Sequence, residues 1–477
     1  MKQGCLLSPL LPGAFALLAC FYHPAAVAAD DTDPALRQIG PSTLHDPAAA
    51  LPARPALARA GADSGRLGLA EAVLQAVQWH PSIAQAVADL DRQGEGITVA
   101  RAGYYPQISG GLRGGYDSGY GGDRNSQALN LSLKQMLYDF GKVDHAVDAA
   151  RAAAARAQAN ILLVVDDLAR ETAYAWIETR RYAQLMSIAR EQIAGVGDIV
   201  GLARQRSDMG ASTRSDVVQA QSRADGAQAV FEEYQAQHQR WRSALATLLG
   251  RVSPPALADE TPAQLQQACN RPLQSDDRLP AVLMALALRS QSQAELAQAK
   301  AEAYPTVSLQ PQLNHYLDND YNRDNRRLDR TQAGIYLNVE VPIYQGGAID
   351  ARSRAAGHAL SAADSAEDAA RLSARRGLAE AQAQTAGLGR RLRALQARQS
   401  SIQEARMLYG RQYLDLGTRP LLDLLNAEQE IYQSRFDMAG TRSDLLRLNI
   451  DCLYNNGALR PVLGLEGRSL QGVEILP

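Results

Sequence analysis

The chain is 477 residues long, and its 49 Lys and Arg against 51 Asp and Glu leave a net charge of −2. So even a balance excludes an ordinary nucleic-acid binder, which carries a basic surplus. Aromatic residues are only 5% of the chain, while helix formers such as Ala, Leu, Gln and Arg abound, so long helices with a minor β component are expected.

Residues 1–29 read as a signal peptide, with Lys2 at the positive end, an apolar middle and a small-residue exit at Ala26-Val27-Ala28. Leu17-Leu18-Ala19-Cys20 offers a competing lipoprotein cleavage, which would make Cys20 a lipidated N-terminus. Residues 30–65, rich in Pro, Ala and Gly without period, read as a tether. No later run reaches the roughly 18 uncharged apolar residues of a spanning helix. Entry into a membrane would therefore have to be as a β-barrel.

Helical pattern runs from Leu67 to Gly103 with a kink at Trp79-His80-Pro81, and ends at Tyr105-Pro106. A hairpin follows over about 106–138, where Leu129, Leu131 and Leu133 alternate with polar residues, and Gly119-Tyr120-Gly121-Gly122 reads as its tip. From Gly141 a helix continues to about Met209, reverses at Gly210, and returns with Ser212 as its expected cap. The returning helix carries Val217, Ala224, Phe231, His238 and Leu245 on one seam row and Ala220, Ala227, Tyr234, Trp241 and Leu248 on the other. His238 on this seam reads as a packed core histidine.

After a linker at 256–275 the pattern recurs over 276–463, followed by a tail at 464–477. Pro81 and Pro280 stand 199 residues apart, as do Tyr105-Pro106 and Tyr304-Pro305; Tyr138 and Tyr344 are 206 apart, and Gly210 and Gly417 are 207 apart. Two steady offsets joined by one step mean a duplicated unit, 66–255 and 276–463, with a longer loop in the second copy. The second hairpin covers about 305–344, with Val307, Leu309 and Leu313 on one strand and Ile335, Leu337, Val339, Val341 and Ile343 on the other. A helix from Gly347 to Leu416 turns at Gly417, with Thr418 as the expected cap, into a seam of Leu424, Ile431, Met438, Leu445 and Cys452 alternating with Ala427, Ser434, Thr441 and Leu448.

One apolar and one polar face per strand suits a sheet between lipid and an aqueous lumen, or else a half-buried sheet in a soluble sandwich. Four strands per chain fall short of the roughly eight that close a filled barrel, so the membrane reading requires oligomerisation: two chains would supply eight strands and three would supply twelve.

Asp318, Asp320, Asn322 and Asp324 have calcium-loop spacing, but Arg323 occupies the position that wants Gly, so an external loop is the better reading. Beyond the signal segment the cysteines are Cys269 and Cys452, a candidate disulfide or two separate buried thiols. Zinc-type, nucleophile-elbow and phosphate-loop patterns are absent from the sequence, so no catalytic residue, metal or cofactor is expected.

In order and twice over, Tyr105-Pro106 and Tyr304-Pro305, Leu137-Tyr138-Asp139-Phe140-Gly141 and Ile343-Tyr344-Gln345-Gly346-Gly347, and the run Asp415 to Glu428 resemble the TolC family of outer-membrane exit ducts. The resemblance covers about 66–460. It implies a mainly α, internally duplicated fold, a homotrimer with a twelve-stranded barrel in outer-membrane lipid, and an α-helical barrel extending through the periplasm of a Gram-negative cell. It also implies a periplasmic adaptor and an inner-membrane pump, of ABC or RND type, as partners. The matching pore-entrance positions are Asp216, Asp423 and Arg419, the last expected to tie neighbouring helix pairs; Asn426 stands where some members carry a second aspartate. Three-fold symmetry would gather Asp216 and Asp423 into a ring of six carboxylates that raise one another's pKa and attract cations; the plainer reading is a pair of first-turn carboxylates favoured by the helix dipole. Gly210, Ala211, Gly417 and Thr418 match the adaptor-docking tip. Leu414 stands where members carry an aromatic and the aromatic here is Tyr413. The motif at Leu137 to Gly141, with Leu421 to Glu428, looks most like the branch that serves type I protein secretion. Multidrug efflux and a structural periplasmic coiled coil that conducts nothing are the alternatives.

Overall fold

The computed structural model describes residues 66–117, 124–259, 263–271, 276–317 and 330–475. The signal segment, Cys20, the tether, Gly119 to Gly122 and the Asp318 to Asp324 loop lie outside them.

The expected kink at His80 is a full break: α1 (Leu69–Trp79) ends there and α2 (Pro81–Arg101) begins. Pro81 takes the first helical position, where its missing N–H costs nothing, and His80 Nδ1 accepts from Ser82 N at 3.3 Å. Trp79 Nε1 donates to the Leu248 carbonyl at 3.1 Å. Its indole lies so close to Gly250 that a Cβ there would sit 2.1 Å from Cε2, which explains a glycine at φ +65°.

Two hairpins follow, β1 (Gln107–Asp117) with β2 (Arg124–Tyr138), and β3 (Thr306–Tyr316) with β4 (Thr331–Glu340). They join into one antiparallel sheet in the order β1-β2-β3-β4. Its register gathers the apolar residues on one face: Ile108 opposes Leu133, Leu112 opposes Leu129, Leu131 opposes Leu313, and Leu309 opposes Leu337. The other face is polar, with Ser109 and Ser132 hydroxyls 2.7 Å apart and Asn130 opposite Asn314. Among the described residues no core covers the apolar face, for Ile108 is 68% exposed, Ile335 74% and Leu337 65%. A soluble sandwich would bury them, so the half-buried reading fails. The alternation expected through Val341 and Ile343 stops at Glu340; the chain leaves the ladder before Gly346 (φ +62°) and Gly347 (φ +80°) turn it into the next helix.

Each sheet-to-helix passage then launches a long helix, α3 (Lys142–Asp208, 67 residues) or α6 (Ala348–Arg411, 64 residues), spanning roughly 100 Å at 1.5 Å per residue. In the first copy Asp139 fixes the turn, its carboxylate accepting from Gly141 N at 3.0 Å and Val143 N at 2.8 Å. That holds Phe140 at φ +59°, stacked on Tyr304 at 5.5 Å and edge-on to Tyr138 at 4.7 Å. Tyr138 and Tyr304 are exposed at the base of the sheet, where amphipathic rings suit a membrane interface. The return helices are α4 (Arg214–Leu248) and α7 (Leu421–Asn455); α5 (Pro280–Ala301) is the second copy's counterpart of α2. The order across the four long helices is α4 on α3, α3 on α7, and α7 on α6.

The main core surrounds Trp176, fully buried and donating to the Leu67 carbonyl at 3.1 Å. It takes in α1, the middle of α3, the ends of α4 and α7, and part of the linker at Leu265 and Ala268. The tail is part of it too: after α8 (Leu459–Val462), β5 (Ser469–Leu470) and β6 (Val473–Glu474) bury Leu470, Val473 and Ile475. Charges inside are paired, as burial requires. Asp166 meets Arg460 at 3.3 Å, Arg375 donates to Asp276 at 2.8 Å, and Arg447 donates to Glu178 at 3.2 Å. Burial pushes Asp166 up to about 6, against the pull of Arg460. Cys269 and Cys452 are joined by a disulfide that fastens the linker to α7. On the seams, Leu445 and Leu448 are only half-buried, and so is His238, whose pKa is lowered by that burial and by Arg242 and Arg190; it is half-buried rather than packed in a core, because among the described residues α4 rests mainly on α3.

Candidate functional site: the hairpin tips

The tip of the first copy reverses at Gly210, φ +74°, with Ala211 N bonded to Arg206 O at 2.7 Å and Gly210 N to Ser207 O at 3.0 Å. The cap of α4 is Thr213 rather than Ser212: Thr213 Oγ1 accepts from Asp216 N at 3.2 Å while Asp216 Oδ2 accepts from Thr213 N at 3.1 Å. The reciprocal spacing Thr213-Arg214-Ser215-Asp216 was the available signal. Ser212 donates to Asp216 at 2.8 Å instead. These bonds, the Ser212 hydroxyl first and then the Thr213 amide, hold the Asp216 carboxyl below its usual range. Within one chain, Asp216 is thus a capping carboxylate.

The second tip departs from this pattern because Pro420 stands where the first has Thr213. Pro420 occupies the cap position without a side-chain bond, and Thr418 does not cap; its amide donates to Gln412 O at 3.1 Å. Asp423, deprived of a capping hydroxyl, turns to Arg419, whose Nη1 donates to it at 2.7 Å. The same guanidinium donates through Nε to Gln412 Oε1 at 2.9 Å and lies 4.3 Å over the Tyr409 ring. Arg419 was expected to tie neighbouring helix pairs; in the chain it clamps its own hairpin, since all three partners lie on α6, α7 or the turn between them. Gly210, Ala211, Gly417 and Thr418 are all exposed at the two tips.

Between α6 and Gly417 the chain makes a π-helical turn over Gln412–Leu416. One extra residue in a turn rotates the side chains beyond it, so the aromatic displaced by one position in the sequence still points inward. Tyr413 is buried against Ile199, Val200, Ala203 and Leu421, and the Arg206 guanidinium lies 4.7 Å from its ring. Leu414, at the position that suggested no aromatic contact, is the exposed residue. Asn426 accepts from Arg223 at 3.3 Å, a second tie between the copies. Sequence reasoning missed Arg206, Arg223 and the buried Glu428, to which Arg406 donates; long-range partners of surface arginines leave no periodic trace.

A family profile described as outer membrane efflux protein matches residues 72–251 and 274–450. The chain belongs to that family. It is an outer-membrane channel with the TolC-like fold, and its family is one of conduits, not enzymes. The outer membrane efflux protein BepC of Brucella suis is 22% identical over 415 residues, covering 84% of this chain and 89% of the relative. The outer membrane protein TolC of Vibrio cholerae is 24% identical over 400 residues, 79% of this chain and 88% of the relative. Among solved structures, the outer membrane protein VceC of Vibrio cholerae superposes with a TM-score of 0.71 at 18% identity, over 82% of this chain and 96% of that one.

Proposed function

We propose that three copies of this chain form the exit duct of a tripartite exporter, with a twelve-stranded barrel in the outer membrane and a helical tunnel reaching through the periplasm. One observation carries this reading: among the described residues, a four-stranded sheet has its apolar face bare, and its edge strands, β1 and β4, have no outer neighbour. Hydrocarbon tolerates neither an open edge nor an unpaired backbone group, and four strands are half of the roughly eight needed for closure. Sister copies supply the missing neighbours. The duct passes cargo without covalent chemistry, from an inner-membrane pump through a periplasmic adaptor that meets Gly210, Ala211, Gly417 and Thr418. Asp216 and Asp423 set the charge of the entrance, with Arg419 holding Asp423 and Asn426 weakening the ring.

The cargo is a protein and the pump an ABC transporter, a reading supported by the motif at Leu137 to Gly141 with the Leu421 to Glu428 run. Purified protein should conduct in planar bilayers and migrate differently on gels before and after boiling; a chain that does neither would be a structural coiled coil. Deleting the gene should leave an exported protein inside the cell. Loss of resistance to small toxic compounds with protein export intact would move the assignment to multidrug efflux with an RND pump.

A further inference from the structure

The sheet turns its apolar face to lipid, so its polar face borders the bore of the channel. Strand alternation puts Arg113 on that polar face, one residue from Leu112, and Lys134 likewise, one residue from Leu133. Both cations are exposed, and neither has a hydrogen bond or ion pair among the described residues. Lys134 stands opposite Gln107 near the periplasmic foot of the sheet, and Arg113 lies farther outward on β1, opposite Ala128. At about 3.4 Å per residue, the Gln107 and Arg113 levels are roughly 20 Å apart. Among the described side chains of this face the one other charge is Glu340, opposite Thr306 at the foot.

Between the two cations the wall is neutral. One belt runs Gly111-Asn130-Asn314-Gln332, each residue opposite the next across the ladder, and the belt below it runs Ser109-Ser132-Gln312. A Cβ at Gly111 would stand 2.7 Å from Asn130 Oδ1, and one at Gly334 would stand 2.7 Å from the Tyr336 hydroxyl. Asn130 and Tyr336 thus lie along the wall over the two glycines instead of reaching across the bore. Amides and hydroxyls both give and accept hydrogen bonds, so such a belt suits any polypeptide backbone and holds none of it by charge.

We infer that the barrel bore binds its cargo as an extended, acidic polypeptide, whose carboxylates engage Lys134 and then Arg113 while its backbone slides over the neutral belts. Three copies present a ring of three lysines and, about 20 Å outward, a ring of three arginines. An extended chain covers that span in roughly six residues, so acids at about that spacing touch both rings at once. Each contact is open to water and therefore weak, and a passage needs sites that release as readily as they bind. The tunnel entrance does not oppose such a cargo strongly, because Asp216 is engaged by Ser212 and Thr213, and Asp423 by Arg419. The free charges lie at the outer end and are positive, so the field along the duct favours movement of an anionic chain outward. The inference rests on the protein-export reading and names the class of protein.

The test uses the full chain in planar bilayers. The polar helical tunnel stays on the side of addition, so a polymer added to the opposite side meets the barrel first. Polyglutamate added there should block the current, and polylysine should not. Lys134→Gln with Arg113→Gln should raise the half-blocking polyglutamate concentration about tenfold or more, while block by multivalent cations from the tunnel side stays as in the wild type. Lys134→Arg with Arg113→Lys, which keeps both charges, should retain the polyglutamate block. Equal block by the two polymers, or polyglutamate block unchanged in the neutral double variant, would overturn the inference and leave the exporter standing. Block by polygalacturonate but not by polyglutamate would replace the polypeptide with an anionic polysaccharide. A wild-type chain that conducts no current would instead remove the exporter reading and this one with it.

Discussion

The Cys269–Cys452 disulfide closes a ring across a sequence separation of 183 residues, containing α5, the second β-hairpin, α6 and most of α7. Reduction, or Cys452→Ser, would free the unfolded chain of that closure. In the chain-entropy account a loop of this length is worth about 5 kcal/mol. Taking the roughly 400 ordered residues of one chain as the unit that melts, with unfolding entropy near 2.1 cal/mol/K per residue, the midpoint should fall by about 6 °C. Around the bridge, Gln382 Nε2 donates to Cys269 O at 3.0 Å, a bond that survives reduction and keeps the linker near its place in the native state. The loss should therefore come from the denatured state, and the helical signal before melting should be unchanged. The assay is thermal melting followed by helical circular dichroism, oxidised against reduced, with thiol alkylation to count free cysteines. Two alkylatable thiols in the untreated protein, or equal midpoints with and without reductant, would refute the reasoning.

Other outcomes rest on the same geometry. The folded-state pKa of Asp166, raised from 3.8 to about 6, means the native state holds a proton the unfolded state has released; wild-type stability should fall between about pH 4 and 6 relative to Asp166→Asn and level off above, read by melting at stepped pH. Gly250→Ala places a Cβ inside the Trp79 indole at a positive φ, and should cost at least the roughly 1–2 kcal/mol of left-handed strain and shift Trp79 fluorescence. Tyr413→Ala empties the tip core beneath Arg206 and should cost about 3–5 kcal/mol while widening the entrance, seen as larger single-channel conductance. Asp216→Asn and Asp423→Asn should each weaken block by multivalent cations in planar bilayers, and unchanged block in both would end the entrance assignment.

Periodicity is a local property, and what it encodes was legible from the residues. Alternation over Ile335 to Val339 gave the strand and its two faces, the glycines at 210 and 417 gave the reversals, and the offsets of 199 and 207 gave the duplication. Termination is also local, but depends on competing short-range bonds; the sequence reading therefore placed the cap at Ser212 instead of Thr213 and ran β4 beyond Glu340. Tertiary structure alone decided the partners that meet over long separations: Asp166 with Arg460, Arg223 with Asn426, and Tyr413 with Arg206. A charged or aromatic side chain shows what it can bind, but three-dimensional packing selects which of many equivalent partners lies within reach. The bare sheet face belongs to the same class, for a residue's exposure is fixed by what the rest of the chain fails to cover.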